Sequence, residues 1–336
     1  WNYLKIHYIC RVNFKKRKME LSIKNKRAFL FIFLWFALYF SVHAQQSFSL
    51  PYSDMDSWFQ RDIKESRLIG GEVRTIFEVG KPGNSTQAEA WKQGDSPWET
   101  SSIYANVLGI VKGSSTVFPE KRGNGYCARL ETVLEEVYVL GVIHVTALAT
   151  GSLITGQLIE PIRNINSPMS KLIQGVPFTK RIKAMKFDYK AKTGGKRIKA
   201  SALSKSDVEG ANAAEISVFL QKRWEDEKGN IKCHRVGTAY IRITQSTDWV
   251  NGYELKINYG DISKEDYFQD YMDLNYEGYP IYGLNSKGEN VPVDEVGWDG
   301  DATPTHIIIR FASGFGGAYV GAIGDCLWID NVEFIE

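Results

Sequence analysis

From residue 71 to the last residues the chain passes through short β-branched and aromatic runs, each stopped by glycine or another turn former. No stretch carries the long apolar stripe of an amphipathic helix. A chain patterned in this way buries its apolar residues by pairing strands and closing sheets on each other, so an all-β sandwich or jelly roll with little helix is expected. Strands are predicted at 71–79, 103–111, 126–132, 139–147, 184–190, 214–220, 238–243, 253–259 and 305–311. Loops are predicted at 113–116 and 192–196, and Glu225-Asp-Glu-Lys-Gly-Asn230 reads as a solvated hairpin tip. The closing block from His306 to Phe334 reads as two strands joined by a glycine-rich turn. In it Trp328, Asp330, Val332 and Phe334 alternate with Leu327, Ile329, Asn331 and Glu333.

The N-terminal region has a different character. Lys24, Lys26 and Arg27 precede an apolar run over 28–40, and Val42-His-Ala44 supplies a small-x-small exit. A basic start, an apolar stretch of about a dozen residues and such an exit describe a cleavable signal peptide, whereas a spanning helix needs roughly twenty apolar residues. Cleavage after Ala44 is expected, with 19–44 as the signal peptide, 1–18 as upstream sequence before Met19, and 45–336 as one β domain. No Cys stands at the cleavage point to take a lipid, so the product is expected to be secreted, periplasmic or held at the cell surface by a partner.

Nine of the 41 Lys and Arg and one of the 39 acids lie before Gln45, leaving 32 basic against 38 acidic residues, net −6. The basic excess belongs to the export segment, and a nucleic-acid partner is excluded. Cys127, Cys233 and Cys326 remain after export and allow at most one internal disulfide; as small buried hydrophobes they need none.

Five segments occur in a telling order: Ala128-Arg-Leu-Glu-Thr132, Thr150-Gly-Ser-Leu-Ile-Thr-Gly156, Gly175-Val-Pro-Phe-Thr-Lys-Arg181, Phe187-Asp-Tyr-Lys190 and Gly321-Ala-Ile-Gly-Asp-Cys-Leu-Trp-Ile-Asp330. Together they resemble the putative carbohydrate metabolism domain, a family of secreted Bacteroidetes proteins often linked with polysaccharide utilisation. The chain departs from the family pattern at Cys326, where a small hydroxyl residue is usual, and at Phe187-Asp-Tyr189, where the run is usually more aromatic. The resemblance implies a jelly roll similar to carbohydrate-binding modules, a glycan substrate class and outer-membrane glycan-uptake partners. It supplies no established catalytic residues. An immunoglobulin-like domain precedes some members; the few residues between Ala44 and Asp56-Ser-Trp-Phe59 leave no room for one here.

Sugar recognition needs flat aromatic faces for the apolar side of a pyranose and amides, acids or arginines for its hydroxyls. The densest such cluster lies in 267–282, where Tyr271, Tyr276, Tyr279 and Tyr282 are interleaved with Asp270, Asp273 and Glu277. Trp91, Trp98 and Trp298 stand in loop-like surroundings and are further stacking candidates. No cofactor is required, but a structural calcium is a candidate, either on Asp54, Asp56 and Asp330 where first and last strands meet, or on Asp294, Asp299 and Asp301. Glycoside hydrolysis would need two carboxyl groups across the scissile bond, and Glu131 and Asp207 are the first acids to test because they lie in or near the family-like segments.

Other chemistries find no support. Ser313 lacks the setting of a nucleophile elbow. The glycines at 314, 316 and 317 precede a strand and so frame no phosphate site. His144, His234 and His306 lack zinc-ligand spacing. The expected function is therefore a carbohydrate-binding or carbohydrate-metabolism module that recognises oligo- or polysaccharide through aromatic loops. A glycoside hydrolase with paired carboxylates and an adhesive protein that binds a protein partner are the alternatives.

Overall fold

Alternation of apolar and polar residues along the predicted runs builds two sheets around a shared core. The computed structural model describes residues 46–139, 143–164 and 167–336. The signal-peptide segment 19–44 and the upstream residues 1–18 lie outside the described residues. Residues 47–336 form one compact unit of strands, and helix among the described residues amounts to three short 3-10 turns. The expectation of an all-β sandwich holds.

The smaller layer orders its strands as Thr247–Lys256, Ala184–Lys192, Cys326–Ile335, Gly125–Glu131 and Val117–Arg122, all antiparallel. The larger layer runs Leu172–Gln174, Ser152–Leu158, His306–Ala312, Ala214–Glu225, Ile231–Ile243, Asn290–Trp298 and Tyr282–Leu284. One of its pairings, Ile231–Ile243 with Asn290–Trp298, is parallel. Met185, Phe187, Leu327, Ile329, Val332 and Phe334 of the smaller layer meet Leu153, Ile216, Val218, Leu220, Ile307, Ile309 and Phe311 of the larger one in a single core. Burial of such side chains contributes roughly 1.5–3 kcal/mol each. A smaller sheet of Trp58–Lys64, Val73–Val79 and Gly83–Ser85 is joined to this body, as is a sheet containing Val133–Val139, Ile143–Ala149, Lys196–Ala202 and Ser204–Ala211.

Four sequence expectations need correction. The run at 103–111 is a hairpin, Ile103–Val107 with Ile110–Ser114, because Leu108 and Gly109 both take positive φ (51° and 85°) and make the tight reverse turn that hairpins favour. That hairpin also takes Gly113 and Ser114 out of the loop expected at 113–116. The run at 139–147 straddles two paired strands, Val133–Val139 and Ile143–Ala149. In the closing strand the alternation does not hold throughout: Asn331 sits at φ 51° opposite a register shift, so Leu327 and Ile329 share the core face with Val332 and Phe334. The glycine-rich segment before this strand carries the chain from the larger layer, at His306–Ala312, to the smaller one.

The strand Ala214–Glu225 shows why a site forms. Its core-facing Ile216, Val218 and Leu220 alternate with Glu215, Ser217, Phe219 and Gln221, a pattern that reads as a half-exposed strand. Yet Glu215 and Ser217 are each 3% exposed and Gln221 is 0% exposed. The segment from 260 to 281 lies over this outer face and buries it.

Candidate functional site

Between the outer face of the larger sheet and the covering segment lies a pocket of about 220 Å³. Its floor is Glu215, Ser217, Phe219, Arg235, Tyr240, Arg242 and Arg310. Tyr271, Asp273, Asn275, Tyr276, Tyr279, Asp294, Glu295 and Gly316 are among the groups that wall it. A second, more open depression at the 226–232 hairpin tip has no aromatic residue in its lining and offers a sugar ring nothing to stack on.

Arg235 and Arg242 are seven residues apart, so strict alternation would put them on opposite faces. A register shift between Leu220 and Gln221, opposite Arg235–Gly237, resets the alternation and brings both guanidinium groups to the pocket. The covering segment is fixed by Asn275, at φ 53°, a conformation Asn tolerates better than most residues. Its side-chain amide donates to the Glu295 carbonyl (2.9 Å) and its side-chain oxygen accepts from the Glu295 amide (2.9 Å), so the loop is clipped to the sheet edge like an extra strand residue.

The charged floor is organised around two carboxylates. Glu295 takes the Arg235 guanidinium through both oxygens, with the Nε bond at 2.6 Å, and also accepts from Gln221 Nε2 at 2.7 Å. Burial opposes ionisation of Glu295, but Arg235 and these hydrogen bonds outweigh it and hold the carboxyl below its ordinary range. Glu215 is clasped by two cations, Arg242 Nε at 3.0 Å and Arg310 Nη1. Burial, followed by the charge of Glu215, pushes the Tyr240 hydroxyl well above the usual phenol range, so it stays a neutral hydrogen-bonding group. Arginines also organise the aromatic walls: Arg242 lies 3.6 Å from the Tyr271 ring centre and Arg310 lies 4.2 Å from that of Tyr279. Tyr271 in turn packs on Tyr240 at 4.7 Å.

Three of the four tyrosines proposed from sequence, Tyr271, Tyr276 and Tyr279, line this pocket; Tyr282 does not, and its amide donates to Gln174 Oε1. Trp298 ends the neighbouring strand, its ring centre 5.5 Å from the Arg235 guanidinium. Trp91 lies outside the lining and packs on Phe59 at 4.9 Å. Trp98 is corrected: it is 0% exposed, lies in the core against Phe311 and donates to the Pro51 carbonyl, so no face of it can meet a ligand.

Neither acid proposed for catalysis reaches the pocket. Glu131 pairs with Arg129 on the outer face of the smaller sheet, and Asp207, largely exposed, pairs with Lys196 at 2.6 Å. Among the described residues no group of three or more His, Cys, Asp or Glu side chains converges as a metal site. Asp54 accepts from the Asp56 amide and Asp56 from the Tyr126 amide, whereas Asp330 pairs with Arg122. Asp294 lines the pocket, Asp299 caps the Ala302 amide, and Asp301 is exposed. Cys127, Cys233 and Cys326 are buried free thiols, so the allowed disulfide is unformed among the described residues.

Sequence reading missed Glu215, Arg235, Tyr240, Arg242, Glu295 and Arg310. They are spread over four separate strands. The available signal was the strand alternation that puts Glu215, Ser217 and Gln221 on one face, but nothing in that pattern says the face is covered.

A family model described as putative carbohydrate metabolism domain matches residues 71–335. Among solved structures the chain is similar to a putative glycoside hydrolase from Bacteroides thetaiotaomicron, at 19% identity over 66% of this chain and 56% of that one, with a TM-score of 0.41. It is also similar to a putative glycoside hydrolase from Bacteroides vulgatus, at 14% identity over 86% of this chain and 95% of that one, with a TM-score of 0.37. The chain thus spans little more than half of the first of these proteins. No curated protein matches it.

Proposed function

The chain belongs to the putative carbohydrate metabolism domain family and has a carbohydrate-related role; we propose that this role is glycan binding in the pocket between the larger sheet and the 260–281 segment. The observation that carries the reading is the convergence of Tyr271, Tyr276 and Tyr279 with Arg242, Arg310 and Ser217 in one recess. Tyrosine rings offer faces to a pyranose, and the polar floor supplies donors and acceptors for its hydroxyls.

Binding is favoured over hydrolysis by the state of the buried acids. A glycosidase needs one carboxyl group that keeps its proton for the leaving oxygen. Glu295 is held ionised by Arg235, and Glu215 is clasped by two guanidinium groups. Asp273 and Asp294 are the remaining acids of the lining, and neither makes an ion pair among the described residues. They carry the second reading, an enzyme with these two as acid and base.

The wider setting is part of the proposal: residues 45–336 act as one exported domain in the periplasm or at the cell surface, in a glycan-utilisation system with outer-membrane partners. No helix among the described residues is long and apolar enough to cross a membrane. The test is affinity electrophoresis of the chain from Gln45 in gels containing plant or host polysaccharides, with release of reducing sugar followed in parallel. Retention without release, lost in Tyr271→Ala, supports the binding module. Release lost in Asp273→Asn or Asp294→Asn supports the enzyme, and neither signal across a broad panel overturns the pocket's assignment.

A further inference from the structure

The charges of the pocket do not balance locally, and the imbalance points to the kind of sugar it takes. Arg235 is matched one to one by Glu295. Arg242 and Arg310, by contrast, share the single carboxylate of Glu215. A further guanidinium, Arg197, stands beside them, bonded only to the backbone carbonyls of Glu209 and Phe315. Three cations therefore share one carboxylate, and the unpaired acids of the lining, Asp273 and Asp294, make no ion pair with any of them among the described residues.

Phe315 holds the surplus in place: the guanidinium groups of Arg197 and Arg242 each lie 4.1 Å from its ring centre. Gly316, at φ 101° in the pocket lining, permits this approach, since a Cβ there would come within 2.2 Å of the Arg197 Nη2 atom. Arg242 is further fixed by Tyr271 on its plane and by Glu215 at Nε, while its two Nη groups make no hydrogen bond among the described residues. Burial and the charge of Arg242 both depress the affinity of Arg197 for its proton, as expected of like charges brought together. Holding unmatched cations in a partly dehydrated recess is unfavourable unless an anion joins them. A planar guanidinium edge with two free donors fits a carboxylate or a sulfate through paired hydrogen bonds.

Building on the pocket as a glycan site, we propose that its ligand is an anionic sugar, a uronate or a sulfate ester, whose charged group seats against Arg242 and Arg197 beside Phe315 while its ring lies along the tyrosines. Neutral glycans offer nothing to match the surplus charge and bind weakly.

The experiment uses paired probes on the chain from Gln45: oligogalacturonate against its fully methyl-esterified form, and a sulfated galactan against the same galactan after desulfation, each by titration calorimetry at two salt concentrations. At least tenfold tighter binding of a charged member than of its neutral counterpart, weakened by salt, is expected, and the pair that shows it identifies carboxylate or sulfate. Arg197→Gln is expected to cut that binding at least tenfold while unfolding stays cooperative and its midpoint falls only slightly, through the lost Phe315 contact and two bonds to backbone carbonyls. Equal binding of charged and neutral members, or binding indifferent to Arg197→Gln, overturns the anionic ligand while leaving a glycan site. No binding of these or of neutral polysaccharides overturns the glycan site itself. The wild-type comparison decides the matter even if the variant folds poorly.

Discussion

At the scale of single residues, the arginines decide how the site is built. Arg235 and Glu295 are a desolvated pair, and removing one partner leaves the other charged and unmatched. Arg235→Met is therefore expected to lose about 3–5 kcal/mol of folding free energy, read from urea unfolding. A loss below about 1 kcal/mol would mean that water reaches Glu295. Tyr271 is the opposite case, half-buried and partly facing the recess. Tyr271→Ala is expected to cost only about 0.5–1 kcal/mol of stability through the lost cation–π contact. It should weaken glycan retention by roughly 30-fold, about 2 kcal/mol, the scale of an aromatic anchor. The tyrosines were legible in the sequence because four of them crowd into the twelve residues from 271 to 282. Glu215, Arg235, Arg242 and Arg310 were not, since they are scattered over three strands and a charged strand residue is usually solvated.

At the scale of elements, the strands were legible and their irregularities were not. Period-two alternation located Ala214–Glu225 and His306–Ala312, but the bulge opposite Gln221 and the kink at Asn331 each insert one residue, and a one-residue slip exchanges the two faces. Arg242 becomes a pocket residue only through such a slip. The covering segment is equally opaque to periodicity, being non-repetitive, and its position depends on the clasp between Asn275 and Glu295. Asn275→Ala removes both side-chain bonds and puts a less tolerant residue at positive φ, for a cost of about 1–3 kcal/mol concentrated in that segment. Amide hydrogen exchange is expected to speed up over residues 262–279 while the strands beneath keep their protection, and glycan retention should fall with it. Unchanged exchange in the segment would show that its aromatic contacts, and not the clasp, hold it down.

For the molecule as a whole, the most consequential feature is a second buried charge cluster that joins the small sheet of Trp58–Lys64 and Val73–Val79 to the larger layer. One guanidinium, Arg61, faces Glu78 at 2.7 Å and Glu160 at 2.6 Å, while Glu99 lies nearby with the Leu158 amide as its partner. A single cation cannot keep three buried carboxyls ionised. Burial pushes Glu78 up to about 8 despite Arg61, and burial together with Glu78 and Glu160 raises Glu99 well above the ordinary range. In the unfolded chain both titrate near 4.5, so as pH rises above that value the unfolded state releases protons that the folded state retains. Folding then takes up protons, and stability falls as pH rises. His306 acts in the other direction: burial, with Arg223 beside it, lowers it to about 4 from 6.5, so its contribution is lost only as pH falls through that interval and is complete above 6.5. Between pH 6.5 and 8 the acid cluster therefore sets the slope, at up to about 1.4 kcal/mol per pH unit for each group still protonated. Urea unfolding across this window should show the wild-type chain losing stability toward pH 8. Glu99→Gln, which keeps the amide-like shape without a proton to lose, should flatten the curve and be the more stable protein at pH 8. If the wild-type curve is instead flat over the same window, the cluster is ionised in the folded state, and water or a bound cation must be supplying the charge that Arg61 alone cannot.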